Sequence, residues 1–212
     1  MLKKYLLDSA RGRIVTLLQH GGLTVDDIAS KLELTANGVR AHLTGMERDG
    51  VVRRAGRRRG TTRPSSVFEL TSDVEQMLSG AYVPLLLQLV RLFTSEWPAA
   101  DVNRLMRKAG TGLAAGIRPA GRPTDSLRSR AHSASDLMND QLGAVTHVEE
   151  NGHLIIRGAS CPLAALTGAQ PAVCLAMESF VAELIGNAAV RECCDRGERP
   201  RCCFEVSARA VR

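Results

Sequence analysis

Leu23-Thr24-Val25-Asp26-Asp27-Ile28-Ala29, then Val39-Arg40-Ala41-His42-Leu43, then Glu47-Arg48-Asp49-Gly50-Val51-Val52 is the stretch on which the fold turns. Thr24 is placed to cap a helix, Asp27 sits three residues on in the capping-box position, and Ile28 and Leu32 share one face. Leu34-Thr35 breaks the pattern, and Thr35 can cap a further helix over residues 36–48, with Val39, Leu43 and Met46 at core spacing. Asp49-Gly50 stops it. Upstream, residues 8–19 read as a helix capped by Asp8 or Ser9 and striped with Ile14, Leu17 and Leu18, ended by Gly21-Gly22. Downstream, Val51-Val52-Arg53-Arg54 and Val67-Phe68-Glu69-Leu70 read as two strands around an Arg- and Gly-rich loop. Three helices with a tight turn before the third, followed by a basic hairpin, predict a winged helix-turn-helix over residues 1–70.

That geometry carries a nucleic-acid expectation. The third helix fits the major groove and its early residues meet base edges. Thr35, Asn37, Arg40 and His42 project from its polar side, with Arg40 suited to guanine and Asn37 to adenine or a phosphate. Arg57, Arg58, Arg59, Thr61 and Arg63 fall in a loop without an acid, suited to the backbone or minor groove. A run of arginines alone reads as a solvated loop; this helix order makes it a wing. Charge agrees. Residues 1–70 hold 13 Lys/Arg and 7 Asp/Glu, net +6, whereas residues 71–212 hold 15 of each. A basic head on a neutral body implies an acidic partner for the head. These segments resemble the ArsR-like winged-helix regulators.

The 212 residues suffice for one large domain or two small ones, and aromatics at 3% with abundant Leu, Val and Ala suit helix packing. No apolar run approaches the roughly 18 residues of a membrane span. Met1-Leu2-Lys3-Lys4 leads into no signal-peptide core, so the expectation is a cytoplasmic protein without a membrane partner. Residues 71–118 form a helical link. From Val83 to Phe93 apolar residues cover nearly every face of a helix, which demands burial all round. The bland reading is an interdomain core helix; the functional one is a dimer helix, because two heads reading a palindromic operator on double-stranded DNA need a two-fold axis. Pro98 starts the next helix, residues 118–124 read as a linker, and Asp125 to Leu142 as a polar helix.

All six cysteines lie between Cys161 and Cys203. In a reducing compartment clustered cysteines point to metal ligation or redox chemistry rather than structural disulfides. Disulfides, zinc and an iron–sulfur cluster all remain open on residues alone, although zinc sites usually carry a Cys-x₂₋₄-Cys knuckle and 12 residues separate Cys161 from Cys174. Residues 144–149 and 153–158 alternate around Asn151-Gly152, a hairpin signal. A helix over about 170–186 carries Cys174 on its first turn, where helix N–H groups favour thiolate. A second strand pair ends at Cys194 and begins at Cys202. Residues 119–212 therefore predict a small α+β cysteine-rich sensor domain, making the whole chain α+β. Strand alternation sends Cys194 toward the pocket and Cys193 and Cys203 away. His132, His147 and His153 have no metal spacing and read as surface or packing residues.

Cys161-Pro162, Pro171-Ala172-Val173-Cys174, Glu178, Gly186, Gly197 and Arg201-Cys202-x-Phe204 resemble the sensor of SufR-type iron–sulfur repressors and their relatives. The resemblance implies a homodimer, an iron–sulfur cluster (4Fe–4S ahead of 2Fe–2S) and Cys161, Cys174 and Cys202 as ligands. It departs at Ala188, where the cyanobacterial pattern has a cysteine. Cys194 takes the fourth place on the alternation argument, with Cys193 as second choice; an oxygen or nitrogen ligand or an open iron stays possible. The function expected is a dimeric transcription regulator, not an enzyme, that senses cluster or redox status. The alternatives are a regulator with a structural zinc or a small-molecule effector and, remotely, a cysteine-dependent oxidoreductase.

Overall fold

The computed structural model describes residues 8–59, 64–117, 125–150, 152–168, 170–186 and 188–208. The chain forms two compact units, Met1–Gly80 and Ala81–Arg212.

The first unit follows the sequence closely. Helix α1 (Ala10–Leu18) is capped by Ser9, whose hydroxyl accepts from the Gly12 amide. Strand β1 (Leu23–Thr24) precedes α2 (Val25–Leu32), and the Thr24–Asp27 capping box closes in both directions. Glu33 ends α2 in the left-handed region, an uncommon conformation for a residue with a Cβ. Helix α3 (Ala36–Arg48) is capped by Thr35. Strands β2 (Val52–Arg58) and β3 (Ser65–Leu70) make the wing, and β1 adds to β3, giving the order β1-β3-β2. The two-residue β1 is too short to leave an alternation signal. Ile14, Leu18, Ile28, Val39, Leu43 and Met46 are buried together, as their helical spacing requires.

Helix α4 (Ser72–Leu78) also belongs to this unit, because Val74 and Leu78 pack on the same core. The Thr71 side chain makes no cap on α4; its hydroxyl donates to the Gly50 carbonyl and fastens the end of the wing to the α3 stop. The division between the two compact units falls at Gly80.

The second unit opens with α5 (Tyr82–Glu96) and α6 (Ala99–Ala115). The predicted linker at residues 118–124 and the turn residue Asn151 lie outside the described residues. Helix α7 (Leu127–Leu142) is followed by the hairpin β4 (Thr146–Glu150) and β5 (Leu154–Gly158). A short helix α8 (Ala164–Thr167) and a 3₁₀ turn (Pro171–Val173) lead into α9 (Cys174–Ile185), so the long helix expected from about residue 170 begins at Cys174. Strands β6 (Ala188–Glu192) and β7 (Cys203–Ala208) pair, and β5–β7 pairing merges both hairpins into one antiparallel sheet, β4-β5-β7-β6. Phe180 and Phe204 are fully buried between α9 and the sheet, each contributing about 1.5–3 kcal/mol by leaving water. Gly110 of α6 lies against α9 so closely that a Cβ there would stand 1.9 Å from the Ala176 carbonyl oxygen. Arg130 closes the other end of α9 by donating to the carbonyls of Ile185 and Gly186, where a cation suits the helix dipole.

Helix α5 does not find burial within its unit. Val90 is buried, but Tyr82, Leu85, Leu86, Leu89 and Leu92 are 39–60% exposed. Phe93 and Trp97 stack at 5.0 Å.

Candidate thiol centre and nucleic-acid interface

Four elements deliver four thiols to one place. Cys161 follows β5, Cys174 opens α9, Cys194 lies two residues past β6, and Cys202 immediately precedes β7. The contacts run in a row. Cys161 interacts with Cys202, Cys202 with Cys194, and Cys194 with Cys174. Cys174 and Cys202 are buried, whereas Cys161 and Cys194 are half-buried. All four sequence-selected thiols are therefore neighbours.

Cys193, the second choice, is not among them. It is joined to Cys203 in a disulfide on the opposite face of the sheet, with 4.8 Å between the Cα atoms. Alternation explains both halves of this result: neighbours in a strand point to opposite faces, so Cys193-Cys194 and Cys202-Cys203 each split their thiols. Ala188 begins β6 opposite Ala208, about 20 Å of strand from Cys194 at ~3.3 Å per residue. A cysteine at position 188 would not reach this row, and Cys194 needs no substitute there.

Hydrogen bonding sorts the protons along the row. The Cys202 thiol, the Leu163 amide and the Thr167 hydroxyl, 3.9 Å from the sulfur, bring the Cys161 pKa down to about 6. Cys194 falls further, to about 3, because the Cys174 and Cys202 thiols and the Cys203 amide, at 3.3 Å, all donate to it. Cys174 and Cys202 are pushed upward as donors to these thiolates, and burial adds to the rise. Thiolate and thiol thus alternate along the row.

Charged side chains around the thiols hold this arrangement. The Arg196 Nε donates to the Cys174 sulfur at 3.4 Å, and its guanidinium pairs with Glu192. Glu192 also accepts from the Cys194 amide at 3.3 Å. Glu178 pairs with Arg107 at 2.5 Å and accepts from the Glu192 amide at 3.0 Å, tying α6 and α9 to the end of β6. Gly158 stands where a Cβ would be 2.8 Å from the Ser160 carbonyl and 3.3 Å from the Cys202 Cβ. A glycine closing a strand was the one available signal for that close approach; Glu192 and Arg196 left none, since their role arises from the fold-back of β6 onto β7.

The donor set is soft sulfur, suited to zinc or to an iron–sulfur cluster. A single tetrahedral zinc with sulfur at about 2.3 Å needs its ligands mutually about 3.8 Å apart. Among the described residues the trio whose ligand atoms lie within 4.8 Å of one another is Cys174, Glu192 and Cys194.

In the first unit, Asn37 and Arg40 are exposed early on α3, with Arg40 Nη1 donating to Asn37 Oδ1 at 2.9 Å. Thr35 is occupied by its cap, accepting from the Gly38 amide at 3.1 Å. His42 is half-buried. Arg58 turns back onto the body of the domain, pairing with Asp27 at 3.0 Å and donating to the Gly22 carbonyl at 3.0 Å. This wing cation thus also holds the capping-box carboxylate. Arg57 and Arg59 are exposed with no ion pair among the described residues, and Thr61 and Arg63 lie outside those residues. A cleft of about 340 Å³ runs between α3 and the wing, lined by Arg40, Thr44, Arg54, Ser65 and Ser66 among others. Thr44 and the two serines had no motif to mark them.

Residues 6–55 match the family described as "Helix-turn-helix domain". The N-terminal unit thus carries a helix-turn-helix segment, a motif that places its second helix in the DNA major groove. Among solved structures, the chain is similar to a ZitR double mutant from Lactococcus lactis in apo form, at 16% identity and a TM-score of 0.29, over 54% of this chain and 86% of that one. No curated protein matches the chain. No single helix among the described residues is long and apolar enough to cross a membrane.

Proposed function

We propose that this protein is a homodimeric, cytoplasmic transcription regulator that reads a palindromic operator through its helix-turn-helix units and reports iron–sulfur cluster status, in the manner of the SufR-type regulators. The observation that carries the reading is the convergence of Cys161, Cys174, Cys194 and Cys202 from four elements into one row. Those residues would hold the cluster, which supplies a redox- and iron-sensitive link among β5, α9, β6 and β7. A row longer than one ion's shell suits a cluster whose several irons present separate ligand positions. Arg196 and the amide of Cys203 offset negative charge on the sulfurs. The exposed apolar face of α5 supports the dimer, since a second copy related by a two-fold axis offers the same surface in return. In this reading Arg40 and Asn37 meet base edges, and Arg57, Arg58, Arg59, Thr61 and Arg63 meet phosphates.

One observation favours a second reading. Cys174, Glu192 and Cys194 are already close enough to grip a single ion, which suits a zinc site completed by one more thiol. Anaerobic preparation separates the two. A cluster gives iron and acid-labile sulfide with visible absorption; the alternative gives colourless protein with stoichiometric zinc.

A further inference from the structure

On the face of the sheet that carries the disulfide, four residues stand side by side across β4, β5, β7 and the segment just past β6. His147 on β4 is opposite Arg157 on β5, Arg157 is opposite Cys203 on β7, and Cys203 is bonded to Cys193. Directly opposite residues share a face and lie within side-chain reach. The row lines a cleft of about 310 Å³ together with Asp195, Arg201 and Cys202. The Arg157 Nε and His147 both reach Glu149, at 2.8 and 3.2 Å. Arg201 has no ion pair among the described residues, and Asp195 accepts from the Gly197 amide. Cys193 is exposed while Cys203 is 6% exposed, so a nucleophile from solvent meets the Cys193 sulfur first.

From this juxtaposition of an open disulfide with two guanidiniums and one carboxylate, we infer that the cleft is an exchange site for a low-molecular-weight thiol of the amino-acid type, its carboxylate on Arg201 and Arg157 and its ammonium toward Asp195. The thiolate of the small molecule attacks the Cys193 sulfur. The Cys193–Cys203 bond breaks, a mixed disulfide forms on Cys193, and the Cys203 sulfur leaves with the electron pair and takes a proton from water. A second small thiol attacks the mixed disulfide, releasing the symmetrical small disulfide and the Cys193 thiol. Two electrons pass from two small thiols to the protein. The exchange does not depend on what the inner row binds. The bond joins the two residues adjacent to Cys194 and Cys202, and its loss leaves those strand ends paired through the Cys193–Cys203 and Asp195–Arg201 backbone hydrogen bonds.

The full chain, oxidised until peptide mass spectrometry shows Cys193–Cys203, is reduced separately with glutathione and with 2-mercaptoethanol at equal thiolate concentration. Carboxylate recognition by the arginines predicts reduction by glutathione about tenfold faster at low salt, the margin narrowing as salt screens it, with the transient adduct on Cys193. Arg201→Gln should shrink the margin to about threefold or less. Equal rates for the two thiols, a margin indifferent to salt in the unaltered protein, an adduct on Cys203, or failure of the Cys193–Cys203 bond to form on oxidation would each overturn the proposal. None of these readouts involves iron, so their failure is distinct from failure of the cluster reading.

Discussion

At the level of single residues, the thiol row separates into pairs with different chemistry. Cys161 has a depressed pKa, so its thiolate stabilises the metal-free fold above the ordinary thiol value of 9.0 and loses that contribution as pH falls through about 6. Titrating the metal-free protein downward from pH 9 should remove one thiolate near pH 6, followed by ultraviolet thiolate absorbance, and this step should vanish in Cys161→Ser. Cys194 should stay ionised throughout that range, because two thiols and an amide donate to it. Serine at Cys161, Cys174 or Cys202 is expected to abolish cluster retention, and serine at Cys194 to weaken it or alter its spectrum. Serine at Cys193 or Cys203 leaves all four inner thiols in place, and iron content should stay near normal when it is measured alongside the other four variants. In the helix-turn-helix unit, Arg40→Ala should remove sequence preference. Arg59→Ala should weaken binding to all sequences and lower its salt dependence. Arg58→Ala should weaken binding in the same way and add a small stability loss, because its guanidinium also holds Asp27 and the Gly22 carbonyl; thermal unfolding beside gel-shift affinity separates the two effects.

At the level of elements, the tightest joint is α6 on α9. Gly110→Ala would drive a methyl against the Ala176 carbonyl, and overpacking of this kind costs about 1–3 kcal/mol. The expected result is a lower melting temperature with the secondary structure intact. Gly158→Val should displace Cys202 and lose the cluster while leaving DNA affinity at the metal-free level. Much of this layer was legible beforehand. The Thr24–Asp27 box, the Ser9 and Thr35 caps and the buried faces of α1, α2 and α3 follow from local hydrogen bonding and 3.6-residue periodicity, which the sequence writes in full. Alternation alone separated Cys194 from Cys193. What could not be read depends on contacts between distant segments: the β5–β7 pairing, the short β1, the turn of Arg58 onto Asp27, and the Arg107–Glu178–Glu192 link behind Cys194. The disulfide was also missed. Compartment chemistry argued against such bonds in general, and only the β6–β7 register sets these two cysteines opposite one another.

At the level of the whole molecule, the exposed apolar face of α5 is what a regulator of palindromic DNA would place on its two-fold axis. Replacing Leu86 and Leu89 by Asp should give monomers or aggregates by light scattering, and a stable monomer of the unaltered protein at micromolar concentration would contradict the dimer. The coupling between thiol row and operator then needs only a few kcal/mol of differential DNA affinity between cluster-bound and cluster-free dimers. The proposed signal depends on what the four thiols hold. The most direct measurement is iron, sulfide and zinc per chain in protein purified without oxygen. The prediction is iron and acid-labile sulfide in equal amounts, a brown colour and zinc near zero. Colourless protein with one tightly bound zinc per chain, and no iron or sulfide even after anaerobic reconstitution, would contradict it.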